Sequence, residues 1–270
     1  MSSFLDRLKS LFGGADAADG PMHFELATVT DRGLSRSDNQ DSFFVNRQSC
    51  IFAVADGMGG GQGGAFASEW ICEELKNRFD APEGSTPGLR VGLADEALQA
   101  ANARIREYAA ANEFKSMGST AVVLMADPGK PSRAAVAHVG DSRIYRWRKG
   151  KGTLLTRDHT VGNELGSAFA NQSQAKSLQS RRNPLAHVLT RAVGIGFKVR
   201  AEWRKIDIHP GDRYLLCTDG VHDVLSDEQV AALVGRAKTP AQAVAAVTEK
   251  VVACGAPDNY TIVCVFAVRD

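Results

Sequence analysis

The order of the predicted elements favours an α+β fold in which two mainly antiparallel sheets carry helices on their outer sides. Short apolar runs typical of buried strands recur along the chain, and long helical patterns lie between them. Strands and helices come in groups, so the strict alternation that a doubly wound parallel sheet requires does not hold. The length of 270 residues is sufficient for one large domain with its own core.

The predicted strands are short segments that are apolar or that alternate between apolar and polar residues. Residues 22–26 alternate as a half-buried strand does. Segment 142–156 is typical of a hairpin with its turn at 149–152 (Lys-Gly-Lys-Gly), and 198–208 is a further strand closed by a turn at 209–212. Apolar runs predict the remaining strands at 50–55, 121–126, 134–139, 214–217 and 260–268.

Four helices are predicted from periodicity and from start signals. Long helical patterns cover 64–79 and 88–111. Residues 226–229 (Ser-Asp-Glu-Gln) form a capping box that predicts the start of a third helix. Residues 239–242 (Thr-Pro-Ala-Gln) predict the start of a fourth helix, which we expect to end near Gly255.

Two segments differ from this pattern. Residues 1–20 combine an amphipathic helical pattern with a linker of Gly, Ala and Asp, and we separate them from a folded domain at 21–270. Two interpretations of the N-terminal segment stay open: an end that covers an apolar patch, or a helix that docks on a partner or a membrane surface. Residues 157–190 are polar, which is typical of a disordered insertion or of a flap.

Composition and charge exclude several classes of protein. The chain has 32 Lys and Arg against 31 Asp and Glu, so its net charge gives no general attraction to nucleic acid. No apolar run reaches the length of about 18 residues that spans a bilayer, and no secretory signal pattern is present. The five cysteines are scattered without a CxxC pair, which argues against disulfides and thiolate zinc sites and predicts a reducing, cytoplasmic compartment.

Acidic residues stand at the ends of four predicted strands. Asp56, Asp141 and Asp219 follow apolar runs, whereas Asp258 precedes the last run. Each residue alone is most simply a turn residue. If the strands are neighbours, the carboxylates meet at one rim of a sheet, where they repel one another unless cations lie between them. All-oxygen sites suit Mg²⁺ or Mn²⁺, and Gly57 has no side chain to keep its carbonyl from a metal.

Two such ions would suit the hydrolysis of a phosphate ester. They would lower the pKa of a shared water and neutralise charge on the phosphoryl oxygens. A phosphate site also needs a cation from the protein, and Arg36 lies in a loop just before the next strand. Two interpretations of Arg36 are open: a clamp on the phosphate, or a surface ion pair with Asp38 or Asp41.

A set of short motifs in a fixed order gives a specific resemblance. The motifs are Asp31-Arg-Gly33, Arg36, Asn39-Gln-Asp41, Ala55-Asp-Gly-Met-Gly-Gly60, Gly118-Ser-Thr120, Gly140-Asp-Ser-Arg143, Thr190-Arg-Ala-Val-Gly194, Thr218-Asp-Gly220 and Asp258-Asn259. In these motifs the chain resembles the metal-dependent serine/threonine protein phosphatases of type 2C, in their compact bacterial form. The likeness covers about residues 22–268.

The resemblance implies a fold, a reaction and a set of site residues. The fold would be a four-layer α-β-β-α sandwich, with a flap at about 157–190. A hydroxide bridging two Mn²⁺ or Mg²⁺ ions would attack phosphoserine or phosphothreonine in line, without a phosphoenzyme. A third, weaker ion would lie at Asp141 and Asp219. The implied residues are Asp41, Asp56, Gly57, Asp141, Asp219 and Asp258 for the metals and Arg36 for the phosphate.

The implied partners are phosphorylated proteins, a serine/threonine kinase among them, acted on by a monomer in bacterial signal transduction. Two positions depart from the pattern of many relatives. Met58 stands where many eukaryotic members have a histidine proposed as general acid, and methionine cannot donate a proton. Gln40 stands where many relatives have Glu, and a neutral amide binds a metal less well.

Other functions were weighed against this one. A catalytically weak phosphoprotein-binding regulator and another metal-dependent phosphoesterase stay open as alternatives. A cysteine phosphatase is rejected, although residues 72–78 match C-x5-R. The segment is predicted to be helical, and Glu73 and Glu74 would repel a phosphate.

Overall fold

The computed structural model describes residues 22–60, 62–80, 87–168 and 183–269. The N-terminal segment 1–20 and residues 169–182 of the expected flap therefore lie outside the described residues, and what we expect of them stays a prediction. In the described ranges, no helix is long and apolar enough to cross a membrane.

The strands form two antiparallel sheets that face each other. Their bounds are β1 Met22–Asp31, β2 Asp41–Asn46, β3 Ile51–Met58, β4 Gly118–Ser119, β5 Ala121–Asp127, β6 Lys130–Val139, β7 Arg143–Arg148, β8 Lys151–Leu154, β9 Glu202–Asp207, β10 Arg213–Cys217 and β11 Tyr260–Arg269. Sheet A has the order β1-β11-β10-β7-β8. Sheet B has the order β2-β3-β5-β6-β9, and β4 extends it by pairing with β3.

The helices lie on the outer faces of the two sheets and beside the strand ends. Their bounds are α1 Gln62–Phe79, α2 Pro87–Ala111, α3 Val161–Ala168, α4 Asp219–His222, α5 Asp227–Arg236 and α6 Pro240–Ala253, with a 3-10 turn at Pro184–His187. The capping box before α5 is confirmed, because Ser226 and Gln229 each accept a hydrogen bond from the backbone N–H of the other. Helices α3 and α4 and the 3-10 turn were not predicted.

Two predicted elements have different bounds from those expected. The hairpin turn is Lys149-Gly150, where both residues have positive φ (49° and 80°) as a two-residue hairpin turn requires. Gly152 lies inside β8, where a Cβ would come 2.4 Å from the Cβ of Ala231 on α5. This glycine therefore serves the packing of a helix rather than the turn. The strand expected over 198–208 is shorter and covers only β9.

Alternation along the central strands fills three apolar cores. On β3, Phe52 and Val54 face sheet A, whereas Ile51, Ala53 and Ala55 pack in the core under α1 and α2. Strands β10 and β11 contribute in the same way to the inter-sheet core and to the core under α5 and α6. Strands that are buried on both faces have nearly continuous apolar sequences. The four-layer α-β-β-α sandwich is confirmed.

Candidate active site

The predicted acidic residues meet at one end of the sandwich. Asp41 begins β2 and lies opposite Asp56 of β3. Asp219 begins α4 directly after β10, Asp258 precedes β11, and Asp141 follows β6. The condition for a shared rim, that the strands are neighbours in one sheet, is not met, because β10 and β11 belong to sheet A whereas β2, β3 and β6 belong to sheet B. The carboxylates therefore converge across the seam between the two sheets.

A cleft of about 530 Å³ opens over this seam. Asp56, Gly57, Asp219 and Asp258 line it, and Arg36 lies at its edge. Arg36 Nη2 donates to Asp258 Oδ2 at 2.7 Å, so its described ion pair is with neither of the loop partners considered from the sequence. The hydrogen bond and the charge of Asp258 raise the pKa of Arg36. Its side chain is 57% exposed and accessible to a ligand.

The carboxylates shift one another's titration because they are crowded and withdrawn from water. Burial, with the charges of Asp219 and Asp258, raises the pKa of Asp41 to about 7. Burial and then the charges of Asp223 and Asp258 raise the pKa of Asp219 to about 7. Burial, followed by the charges of Asp219 and Asp41, raises the pKa of Asp56 well above its ordinary value. The group as a whole resists full ionisation at neutral pH unless cations lie among its members.

Asp141 lies beside this group and is itself buried. Burial and then the charge of Asp219 raise its pKa well above the ordinary value. Its main chain is fixed by His222, whose Nε2 donates to the Asp141 carbonyl at 3.1 Å. Asp141 is thus placed where its carboxylate adds to the charge around Asp219.

The donor atoms at the seam fit a divalent cation. Asp41 Oδ2 accepts a hydrogen bond from Thr218 Oγ1 at 2.8 Å, but the buried Asp41 Oδ1 has no hydrogen-bond partner among the residues that the structure describes. At Gly57, a Cβ would come 1.9 Å from the Gly64 carbonyl oxygen, so only glycine allows the backbone to pass here. Carboxylate and carbonyl oxygens are the ligands that Mg²⁺ and Mn²⁺ prefer. The residues present therefore suit the metals that the motifs imply.

Two polar residues, Asn259 and Thr218, hold the site together, although the motifs assign them no role. The Asn259 side-chain oxygen accepts from Gln40 N at 2.9 Å, and its Nδ2 donates to the Asp38 carbonyl at 2.8 Å. Thr218 donates to Asp41 and accepts from the N–H of Thr261 at 2.9 Å. These bonds tie sheet A to the strand and loop that carry Asp41 and Arg36. Their only sequence signal is a polar side chain directly beside an acidic residue at the end of an apolar run.

The rejected cysteine mechanism is also inconsistent with the structure. Cys72 lies within α1, where its side chain packs against the core under the helices. Burial raises the pKa of its thiol to about 12, the opposite of what a thiolate nucleophile needs. Cys72 is therefore a packing residue.

A second group of ligand-type side chains lies apart from the carboxylates. One nitrogen or oxygen each of His138, His159 and Glu202 lie within 4.8 Å of one another. The two imidazole rings, however, stack with their centroids 4.5 Å apart and their planes 19° apart, so their in-plane nitrogens do not point to a common centre. His138 Nε2 also donates to the Arg157 carbonyl at 2.7 Å, so His138 is a buried, hydrogen-bonded histidine.

Comparisons with known proteins agree with this geometry. The family described as protein phosphatase 2C matches residues 31–254. A putative protein phosphatase 2C-type of Streptococcus pyogenes serotype M6 is 31% identical over 216 residues, which cover 78% of this chain and 84% of that protein. The serine/threonine protein phosphatase PstP of Mycobacterium tuberculosis is 30% identical over 238 residues, covering 88% of this chain but 44% of that protein.

A solved structure supports the same relationship. The catalytic domain of PstP, in complex with two manganese ions, aligns with a TM-score of 0.76 and 28% identity, covering 92% of this chain and 100% of that one. The family match and these relatives confirm the resemblance drawn from the motifs, together with the enzyme class of metal-dependent serine/threonine phosphatase. The chain belongs to the protein phosphatase 2C family.

Proposed function

We propose that this protein removes phosphate from phosphoserine and phosphothreonine of other proteins, a kinase among them, at the cleft between Arg36 and Asp56. The observation that carries the proposal is the convergence of acidic side chains from both sheets around a cleft that has an accessible arginine at its edge. The relatives named serine/threonine phosphatases support the substrate class.

The carboxylates would hold two Mn²⁺ or Mg²⁺ ions. When bound, the ions would supply a hydroxide for direct in-line attack on phosphorus and would neutralise charge on the phosphoryl oxygens. Asp41, whose buried Oδ1 has no partner within the described part of the chain, adjoins this site. We assign Asp56, the Gly57 carbonyl, Asp219 and Asp258 as the residues that would hold the two ions, and Asp141 with Asp219 as those that would hold a weaker third ion.

Arg36 would orient the phosphate. A guanidinium carries five N–H donors in a planar fork, and the bond to Asp258 engages only part of them. The pairing with Asp258 holds the arginine over the cleft, while its exposed remainder can donate to two phosphate oxygens at once. Met58 lines the same cleft and has no proton to give, so we assign protonation of the leaving serine or threonine oxygen to water.

The test is a phosphothreonine-peptide assay with Mn²⁺, with EDTA, and with the Asp56→Asn protein. We expect turnover that requires Mn²⁺, is abolished by EDTA, returns when Mn²⁺ is restored, and is largely lost in Asp56→Asn. Asp80→Asn is the matched control, because Asp80 is exposed and lies outside the cleft. Turnover that persists in EDTA, or an Asp56→Asn protein as fast as the parent, would contradict the proposal.

The two alternatives make different predictions in the same assay. A phosphoprotein-binding regulator would bind the phosphopeptide in the presence of Mn²⁺ without releasing phosphate. Another metal-dependent phosphoesterase would hydrolyse a phosphodiester or a small monoester faster than any phosphopeptide. Release of inorganic phosphate from a panel of these substrates therefore separates the three functions.

A further inference from the structure

A second cleft opens directly from the first one. It has a volume of about 380 Å³ and shares Asp56, Met58 and Asp219 with the first cleft of about 530 Å³. Most of its remaining wall comes from the segment that leads out of the 3-10 turn toward β9. The apolar side chains of that wall are Leu189, Ala192 and Ile195.

Backbone pairing fixes one side of this second cleft to the strand that carries Asp56. Met58 on β3 lies opposite Gly118 on β4. The next residue of β4, Ser119, exchanges two hydrogen bonds of 2.9 Å with Val193. A Cβ at Gly118 would come 3.3 Å from two carbons of Ile195. Ile195 and Met58 are therefore both next to Gly118, which holds the segment that carries Ile195 close to β3.

The opposite side of the cleft is also fixed, and the positive charge of Arg191 on that side is already paired. Leu189 forms a backbone bridge with Thr160, just before α3. Arg191 Nη2 lies 3.6 Å from Glu164 Oε1 on α3, so the positive charge beside Leu189 faces a carboxylate. One side of this cleft thus combines a preformed shape with apolar surface, as small side-chain pockets do, while Asp56, Asp141 and Asp219 form its acidic side.

Ile195 is the exposed apolar residue of this cleft wall. It is 55% exposed, although it borders the carboxylates through a shared cavity. Single exposed apolar residues are ordinary on protein surfaces. Here, however, the exposed isoleucine is continuous with a site that must accept a protein segment, so an occupant from that segment would cover it.

We propose that the second cleft receives a large apolar side chain of the substrate, from a residue close in sequence to the phosphorylated serine or threonine. This inference rests on the proposed function. A substrate carboxylate would be repelled by Asp56, Asp141 and Asp219, which line the same cleft, and Arg191 already faces Glu164. An ammonium group would have to compete with the cations that these carboxylates would hold, and it would lose water against Leu189 and Ile195. The predicted substrates therefore carry Leu, Ile, Met or Phe beside the phosphorylated residue.

The test compares phosphothreonine peptides that differ at one position within two residues of the phosphothreonine. Leu, Ala, Glu and Lys are placed there in turn, and kcat/KM is measured with Mn²⁺. At one position we expect Leu to exceed Ala by about 10-fold. In Ile195→Ala the Leu-to-Ala ratio should fall to about 3 or less. Leu89→Ala, which removes an exposed leucine outside both clefts, should keep the parent ratio.

A substitution that introduces a negative charge tests the assignment to this cleft more directly. Because Ile195 is exposed, Ile195→Glu should fold, and it should move the preference from the Leu peptide toward the Lys peptide. Equal kcat/KM for Leu and Ala peptides at every position would overturn the inference while leaving the proposed function intact. A Leu preference that neither Ile195 variant alters would overturn the assignment to this cleft. No hydrolysis of any phosphopeptide with Mn²⁺ would overturn both proposals.

Discussion

Replacing Asp41 by asparagine should change the stability of the metal-free protein in a way that depends on pH. Asp41 is 7% exposed, and burial with nearby carboxylates raises its pKa from 3.8 to about 7. Between these two values the folded protein keeps a proton that the unfolded chain has released. The folded state is therefore favoured at low pH, and this contribution is lost as the pH rises toward 7.

The size of the effect follows from the same two pKa values. From pH 5.5 to pH 7.5 the folded state loses about 2 kcal/mol of its free energy of unfolding through Asp41 alone, at about 1.4 kcal/mol per pH unit until the folded group ionises. Asparagine does not ionise and its side-chain oxygen can still accept the hydrogen bond from Thr218. Relative to the parent, Asp41→Asn should thus gain about 2 kcal/mol over this interval.

Urea unfolding in EDTA, followed by far-UV circular dichroism at both pH values, measures this difference. Histidines that titrate in the same range are common to both proteins, so their contributions cancel in the comparison. Adding Mn²⁺ at pH 7.5 should stabilise the parent more than the variant, because only the parent has the full set of carboxylates. A stability difference between the two proteins that stays constant within about 0.5 kcal/mol from pH 5.5 to 7.5 would refute the reasoning.

Two further predictions concern the reaction. Arg36→Ala should lower kcat/KM for a phosphopeptide by on the order of 10²-fold, because it removes a charged donor to the phosphoryl oxygens. The control Arg47→Ala, at an exposed arginine, should keep the parent kcat/KM. A parent-like kcat/KM in Arg36→Ala would remove Arg36 from the mechanism. Cys72→Ser should keep its Mn²⁺-dependent turnover, because the thiol of this core residue has a pKa raised to about 12. Loss of turnover in a folded Cys72→Ser protein would revive a thiolate mechanism.

The strands and most helices could be predicted because their signals are local. Strand β3 has a continuous apolar sequence since both of its faces are buried, and α5 begins with a capping box. Helix α4 was missed because four residues are too few to show a helical period, and Thr-Asp-Gly at 218–220 is equally typical of a turn. Helix α3 was missed because it lies in a polar stretch that has no apolar run.

The sequence names candidate residues for the site but does not give their arrangement. Motifs beside strand ends identified Asp56, Asp219 and Asp258 as candidates, yet no local signal assigns their strands to one sheet or the other. The partner of Arg36 is 222 residues away along the chain, so the bond to Asp258 depends on the pairing of distant strands. The same reason hid Asn259, whose hydrogen bonds cross from sheet A to the loop before β2.

The position of the site follows from the alternation that builds the inter-sheet core. On β3, Phe52 and Val54 face sheet A, and Asp56 occupies the next place in the same row. On β2, Phe43 and Val45 pack against that core, and Asp41 extends their row at the same end. The core therefore changes from apolar to acidic along continuous strands, so that Asp41 and Asp56 lie between the sheets.

Burial at these positions would otherwise favour an apolar residue. Here it raises the pKa values of the two carboxylates, and divalent cations would allow them to ionise there. Metal binding and the stability of the sandwich should consequently be coupled, because the groups proposed to bind the ions belong to the same layer that holds the two sheets together.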